Sequence, residues 1–192
     1  MSSLKSKILI NAVRNRHLLK FKLKKETWDW NTSIPQFREQ CLKSARMAGA
    51  LPDGIVVKPV IIGGLPEGLS AEWILPESDY LDNLTNPFIL YTHGGGYVSG
   101  NCEDHRSYVA KVVAGTGIGA LQFDYRLAPE HPFPAALDDS MLVYHWMLDL
   151  GVNVKRLAFV GESAGGGLCL ALLLAVRDAG LPMPAAGVAM SP

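Results

Sequence analysis

The sequence predicts an α/β fold whose sheet is mostly parallel and is covered by helices on both faces. From residue 87 onwards, short apolar segments with strand character alternate with helical patterns, and this alternation is typical of parallel sheets. The strands are almost continuously apolar, as in Leu157–Val160, which indicates a sheet that is buried on both sides. A length of 192 residues with 48% hydrophobic content is sufficient for such a core.

The first fifty residues are predicted to be helical. Apolar residues at helical spacing run through residues 4–24, and basic residues fill much of the remainder. A second helix is expected to begin after Ser33, a suitable N-cap with Pro35 in the first turn, and to end near Gly49. We therefore divide the chain into an N-terminal helical segment, residues 1–50, and an α/β domain, residues 51–192.

The α/β domain begins with two short strands, over residues 55–62 and 71–75, which are joined by a Gly/Pro-rich turn. Strands and helices then alternate. The elements expected in this part are a strand over 88–91, a helix over 104–115, a strand over 118–124, a helix over 135–150, a strand over 156–160, a helix over 164–179 and a strand over 185–190.

The net charge of zero conceals an asymmetry along the chain. Residues 1–25 carry eight basic side chains and no acid, which leaves 10 basic and 18 acidic residues and a charge of −8 for the remainder. Because the folded body is acidic, nucleic acid is not an expected partner. A basic amphipathic helix can lie on an anionic membrane, so peripheral membrane contact through residues 1–25 is an alternative to a solvated helix face.

The cysteines show neither disulfide nor metal-ligand spacing, since Cys41, Cys102 and Cys169 lie far apart. They are interpreted as reduced thiols, which are typical of a cytoplasmic protein. The apolar segment Ile8–Ile10 is interrupted by Asn11 and does not resemble a secretory signal. We expect a cytoplasmic location and no metal site.

The most informative motif is the Gly-x-Ser-x-Gly pattern formed by Gly161, Ser163 and Gly165. A strand leads into the pattern and a helix leads away from it, which is the context in which a sharp turn holds the serine in a strained conformation. The serine would then lie at a helix N-terminus, where developing negative charge is favoured. Taken alone, the pattern also fits a tight turn without a chemical role.

A second motif, His93-Gly94-Gly95-Gly96, directly follows the strand over 88–91. Successive glycines let a backbone approach a substrate closely and direct its N–H groups at one oxygen, as an acyl-transfer enzyme requires for its oxyanion. The alternatives are a flexible turn or a phosphate-binding loop, although the lysine and the Gly-x-Gly-x-x-Gly arrangement of phosphate loops are absent.

Together with the segment Asp124–Ala135, which reads DYRLAPEHPFPA, these motifs resemble the hormone-sensitive-lipase-like branch of the α/β-hydrolase esterases and lipases. The resemblance runs from about residue 54 to the last residue. It implies the α/β-hydrolase fold, with residues 1–50 as cap elements. It also implies a carboxylic ester hydrolase that acts on short- to medium-chain acyl esters or lipids without a cofactor.

The resemblance also implies roles for individual residues. Ser163 is the implied nucleophile, and the N–H groups of Gly95, Gly96 and Ala164 are the implied oxyanion donors. His93 is similar to a histidine that braces the glycine turn and is not the catalytic base. The remaining motif positions with supporting roles are Gly94, Gly161 and Gly165.

The triad acid and histidine of such enzymes follow the nucleophile in the order Ser, Asp/Glu, His. The 29 residues after Ser163 contain one acid, Asp178, and no histidine. Asp178 would lie roughly 20 Å away along a helix. Substitution by His105 or His131 would require either ring to lie within hydrogen-bond reach of Ser163.

We therefore expect a C-terminally incomplete α/β hydrolase that lacks the last two strands of the fold and is inactive alone. The alternative is a non-catalytic, ligand-binding relative of the same family. The strand over 185–190 would be an apolar sheet edge, which favours self-association.

Overall fold

The computed structural model describes Leu4, Lys7, Ile8, Asn11 and Arg14, residues 33–46 and residues 50–192. The chain divides into two compact units, residues 1–32 and residues 33–192. The five described positions of the first unit are α-helical. The remainder of the helix predicted over 4–24, and with it most of the segment considered for membrane contact, lies outside the described residues.

The second unit contains strands and helices in the predicted order. Their bounds are α1 (Ile34–Arg46), β1 (Val56–Ile62), β2 (Leu69–Leu75), β3 (Phe88–Thr92), α2 (Cys102–Thr116), β4 (Gly119–Phe123), α3 (Ala135–Asp149), β5 (Leu157–Glu162), α4 (Ala164–Asp178) and β6 (Ala186–Met190). Single 3-10 turns lie at Tyr80–Asp82 and Val154–Arg156.

Local capping explains where two of these helices begin. Ser33 precedes α1, and its hydroxyl accepts the Gln36 N–H at 3.4 Å, as predicted for an N-cap. Asn101 caps α2 through its side-chain oxygen, which accepts the Asp104 N–H at 2.8 Å. Because Asn101 serves as the cap, α2 begins two residues before the predicted start at residue 104.

The described strands form one six-stranded sheet in the order β1-β2-β4-β3-β5-β6. The pairs β1–β2 and β2–β4 are antiparallel, whereas the pairs β4–β3, β3–β5 and β5–β6 are parallel. The expectation of parallel pairing from residue 87 onwards is therefore confirmed, and so is the mostly parallel α/β class.

Helices cover both faces of the sheet, as predicted. Alternate residues of β3 point to opposite faces, and each face has its own core. Phe88 and Leu90 pack with the buried residues of α3 and α4, whereas Ile89 and Tyr91 pack with those of α2. All five residues of β3 are buried, which accounts for its continuous apolar sequence.

The order of the strands creates a crevice at the carboxyl ends of β3 and β5. From β3 the chain crosses to β4 on one side, and from β4 it returns past β3 to β5 on the other side. The loops that leave β3 and β5 therefore diverge to opposite faces of the sheet. Ligands of open α/β sheets bind at such switch points, and both sequence motifs lie here.

Among the described residues, no helix is both long enough and apolar enough to cross a membrane.

The outer edge of the sheet at β6 is exposed, because Ala186, Gly187 and Val188 face solvent. Leu170 and Leu174 on the neighbouring helix α4 are also about half exposed. An uncharged edge of this kind offers unpaired backbone groups to another strand.

We predict that β6 mediates self-association and that a Val188→Lys substitution opposes it, because a charged side chain on an edge strand disfavours pairing with a second strand. Light scattering at micromolar to millimolar concentration is expected to show a mass above the monomer for the wild type and a shift towards the monomer for the variant. Ile61→Lys on the opposite edge strand, where Ile61 is 65% exposed, is the matched control. A lower mass for Ile61→Lys together with an unchanged mass for Val188→Lys would contradict the role of β6.

Candidate active site

Ser163 occupies the sharp turn between β5 and α4. Its backbone angles are φ 50° and ψ −126°, a region that non-glycine residues rarely adopt and that costs about 1–3 kcal/mol. Hydrogen bonds on both sides hold this geometry: the Ser163 N–H donates to the Met190 carbonyl at 2.8 Å, and the Gly167 N–H donates to the Ser163 carbonyl at 3.1 Å. The side chain is exposed and makes no hydrogen bond to the helix that it caps.

The glycines on either side of Ser163 are required by close backbone packing. A Cβ on Gly161 would overlap the Gly165 carbonyl oxygen and the Thr92 hydroxyl. A Cβ on Gly165 would overlap the carbonyl oxygens of Thr92 and His93. The buried Thr92 hydroxyl donates to the Gly165 carbonyl at 2.7 Å, so β3 and α4 are bonded directly behind the serine.

The glycine loop, formed by His93-Gly94-Gly95-Gly96, lies against Ser163. A Cβ on Gly94 would be 3.4 Å from the Cβ of Ser163, which shows how closely the two segments approach. Gly95 and Gly96 have φ values of 117° and 65°, and only glycine adopts such a succession readily. Within the described residues, the N–H groups of Gly95, Gly96 and Ala164 donate no backbone hydrogen bond outside regular helices and strands. Ala164 is the first residue of α4, where an N–H has no partner inside its helix.

His93 is buried beneath the glycine loop. Its Nδ1 lies 2.8 Å from the Gly94 carbonyl oxygen, and since a carbonyl can only accept, Nδ1 carries the proton. The ring stacks on Tyr125 at 4.0 Å, whose hydroxyl donates to the His93 carbonyl at 2.8 Å. Burial lowers the pKa of His93 to about 3. The hydrogen bond to Gly94 raises this pKa, and the nearby His105 lowers it further. A neutral, enclosed ring can brace the turn but is poorly placed to exchange protons.

His105 and Glu162 form a pair beside the site. His105 Nε2 lies 3.0 Å from Glu162 Oε1, and His105 Nδ1 lies 3.2 Å from the Asn101 carbonyl oxygen. Both ring nitrogens therefore have partners other than Ser163. Glu162, which directly precedes the serine, was not singled out by the sequence; only its place inside the Gly-x-Ser-x-Gly pattern could have indicated it.

Neither of the other candidate acid–base residues joins Ser163 in the described structure. His131 is exposed, and no described hydrogen bond connects its ring or that of His105 with the serine. Asp178, at the end of α4, is bonded to Arg177, whose Nη2 lies 2.7 Å from its carboxylate. In the part of the chain that the structure describes, no cluster of three or more His, Cys, Asp or Glu residues could hold a metal ion.

A cavity of about 420 Å³ lies between α1, the start of α2 and the loop after β4, and Ser163 is not among its lining residues. The residues that line it are Arg38, Glu39, Leu42, Gly100, Asn101, Asp104, Asp124, Tyr125 and Leu127. It adjoins the back of the glycine loop, because a Cβ on Gly100 would overlap His93 and Tyr125 stacks on the same ring. Sequence reasoning missed Arg38, for which no local pattern exists.

The packing of Gly165 predicts that Gly165→Ala lowers the free energy of unfolding by about 1–3 kcal/mol, since the added methyl group would displace the backbone of β3. Gly115→Ala in α2 is the matched control, because nothing lies within 4 Å of its Cβ position and alanine is favoured in helices. Urea unfolding followed by circular dichroism measures both. Equal effects of the two substitutions would contradict the packing described.

The family comparison matches residues 89–192 to the alpha/beta hydrolase fold. The chain is 42% identical over 123 residues to an acetyl-hydrolase of Streptomyces hygroscopicus, a match that covers 64% of this chain and 40% of that protein. A solved esterase/lipase from an uncultured bacterium is 38% identical, with a TM-score of 0.73 over 92% of this chain and 56% of the other.

A solved esterase described as a member of the bacterial hormone-sensitive lipase family is 33% identical, with a TM-score of 0.75 over 97% of this chain and 57% of the other. The chain thus spans 40% of the acetyl-hydrolase and little more than half of either solved relative. Since the family match covers more than half of the chain, the chain belongs to the α/β-hydrolase family, within its hormone-sensitive-lipase-like esterase branch.

Proposed function

We propose that this chain carries the nucleophile and the oxyanion-binding part of a serine carboxylic ester hydrolase. The observation that supports this most strongly is the position of Ser163, which is exposed on a strained turn with Gly94 packed against its Cβ. The chain's relatives include proteins named acetyl-hydrolase, carboxylesterase and esterase. Small acyl esters or lipids are the corresponding substrate class.

In the proposed mechanism, Ser163 Oγ attacks the carbonyl carbon of the ester and the carbonyl π electrons move to its oxygen. The resulting oxyanion accepts hydrogen bonds from the N–H groups of Gly95, Gly96 and Ala164, which have no described acceptor of their own. The N-terminus of α4 adds a favourable dipole at the same position. The tetrahedral intermediate then expels the alcohol and leaves an acyl group on Ser163, which water hydrolyses.

Both halves of this reaction need a base, because a serine hydroxyl is a weak nucleophile until its proton is removed. His93 is buried and bonded to Gly94, His105 is paired with Glu162, and no histidine follows Ser163 among the 192 residues. We propose that these 192 residues alone do not turn over esters and that a complete triad requires an acid and a histidine from elsewhere.

A second candidate function, ligand binding without catalysis, is favoured by the same lack of a base. In that case an acyl ester would bind reversibly beside Ser163. Calorimetric titration would then give equal affinities for the wild type and for Ser163→Ala, and mass spectrometry would detect no acylated protein.

For the 192-residue chain, we predict that p-nitrophenyl acetate hydrolysis does not differ between the wild type and Ser163→Ala. The reason is that this chain has no base to remove the proton of Ser163. Only the oxyanion donors can then act on the ester, and both proteins have them. Release of p-nitrophenolate, followed by absorbance, measures the rate. Serine-dependent turnover at ordinary enzymatic rates, about 1–10³ per second, would show that the chain holds a base that the structure does not reveal.

For a fusion of residues 1–192 to the C-terminal segment of the Streptomyces hygroscopicus acetyl-hydrolase, we predict p-nitrophenyl acetate turnover. Ser163→Ala should reduce kcat at least about a thousandfold in this fusion, since loss of the nucleophile disables the whole triad. Ser70→Ala, at an exposed serine of β2, is the matched control and should retain the activity. A folded fusion that is inactive, or one in which both variants behave alike, would contradict the proposed role of Ser163.

A further inference from the structure

Arg38 of α1 contacts both loops that surround the back of the glycine loop. Its Nε donates to the Val98 carbonyl at 2.6 Å, and its Nη2 donates to the Ala128 carbonyl at 3.0 Å. The same guanidinium group holds the Glu130 carboxylate through Nη1 at 2.9 Å and Nη2 at 2.8 Å. One side chain thus joins α1 to a turn after β3 and to a loop after β4.

The turn that Arg38 contacts fixes the carbonyl group of Gly95. That oxygen accepts the N–H groups of Val98 and Ser99 at 3.2 Å and 3.0 Å, and the Ser99 hydroxyl at 3.1 Å. The Gly95 carbonyl and the Gly96 N–H belong to one planar peptide group and point in opposite directions. Whatever holds the Gly95 oxygen therefore also sets the direction of the Gly96 N–H.

The second loop is bonded to the same turn. The Ala128 N–H donates to the Tyr97 carbonyl at 2.8 Å. Ala128 is therefore bonded to the turn through its N–H and to Arg38 through its carbonyl group. Tyr97 has a positive φ of 61°, a conformation that persists in a non-glycine residue only where its surroundings enforce it. Arg38 contacts the neighbours of this strained residue from two sides.

The chemistry of the guanidinium group suits this arrangement. It is planar and offers five N–H donors in fixed directions, so it can serve two carbonyls and a carboxylate at once, whereas an ammonium group cannot do so with the same geometry. The bond to Arg38 lowers the pKa of Glu130 to about 2, so the pair stays charged at neutral pH. Since both partners are partly exposed, with side-chain exposures of 31% and 55%, the ion pair itself contributes little to stability.

We propose that Arg38 is a positioning residue that holds the turn over Tyr97–Ser99 and, through the Gly95 carbonyl, directs the Gly96 N–H. This inference rests on the proposed function, which assigns that N–H to the oxyanion. It adds a role for α1, which is to keep the glycine loop in the conformation that would bind the oxyanion.

Amide hydrogen exchange in the 192-residue chain, resolved by NMR, tests this role without an activity measurement. In Arg38→Met, we expect the amides of Val98, Ser99 and Ala128 to exchange about tenfold faster, as the loss of roughly one net hydrogen bond predicts. The amide of Gly117, which bonds to the Val113 carbonyl in α2, should be unchanged. The Gly96 amide resonance should shift, which a general loss of stability would not produce selectively.

Two further variants separate the carbonyl bonds from other effects of Arg38. Lys43→Met removes another cation of α1, which pairs with Glu39 at an exposed position, and should alter none of these amides. Glu130→Gln removes the charge of the ion pair while leaving both carbonyls, and should change exchange at Val98 and Ser99 less than about twofold, since an exposed pair is weak.

Unchanged exchange in Arg38→Met, or uniform acceleration that includes Gly117, would overturn the proposal, and so would a Glu130→Gln variant that reproduces the effect. If Arg38→Met does not fold, Arg38→Lys replaces it, because lysine keeps the stem and the charge but not the fork of donors. Faster exchange confined to Ala128, Val98 and Ser99 is expected there as well, and its absence would overturn the proposal. Failure of the ester assay would leave these exchange results intact, so the two claims fail separately.

Discussion

The contact between the start of α4 and the end of β3 is the constraint on which the candidate site depends. The helix can approach the strand because Gly165 has no Cβ, which would otherwise overlap the carbonyl oxygens of Thr92 and His93. The Thr92 hydroxyl completes the contact by donating to the Gly165 carbonyl. Since β3 leads into the glycine loop and α4 begins after Ser163, this contact sets the separation of the two motifs.

Several features of the site follow from that separation. With the two segments so close, Gly94 packs against the Cβ of Ser163, and the N–H groups of the loop and of α4 lie at the same edge of the sheet. The strained turn at Ser163 is held from the far side by the Met190 carbonyl at the end of β6. The β6 strand therefore supports the turn at Ser163 through one backbone hydrogen bond as well as extending the sheet.

The sequence was sufficient to predict features that depend on local conformation. Gly161 and Gly165 are identifiable because a strand-to-helix turn with a serine at its tip leaves room for no other residue there, and the apolar β3 segment is identifiable because it is buried on both faces. The helix α2 begins two residues before the predicted start at residue 104, because the side chain of Asn101 caps it by accepting the Asp104 N–H. The His105–Glu162 pair and the Arg38 contacts could not be predicted, because their partners lie 57 to 92 positions apart in the chain and no local pattern encodes such contacts.

Covalent trapping tests whether Ser163 is, as proposed, a nucleophile that faces an oxyanion-binding loop. The measurement is peptide mass spectrometry of the fused chain after reaction with diethyl p-nitrophenyl phosphate, an activated organophosphate that phosphorylates activated serines. We expect one diethylphosphoryl group, on the peptide that contains Ser163, and none in Ser163→Ala. Modification of a different residue in a folded protein, or an unmodified Ser163, would contradict it.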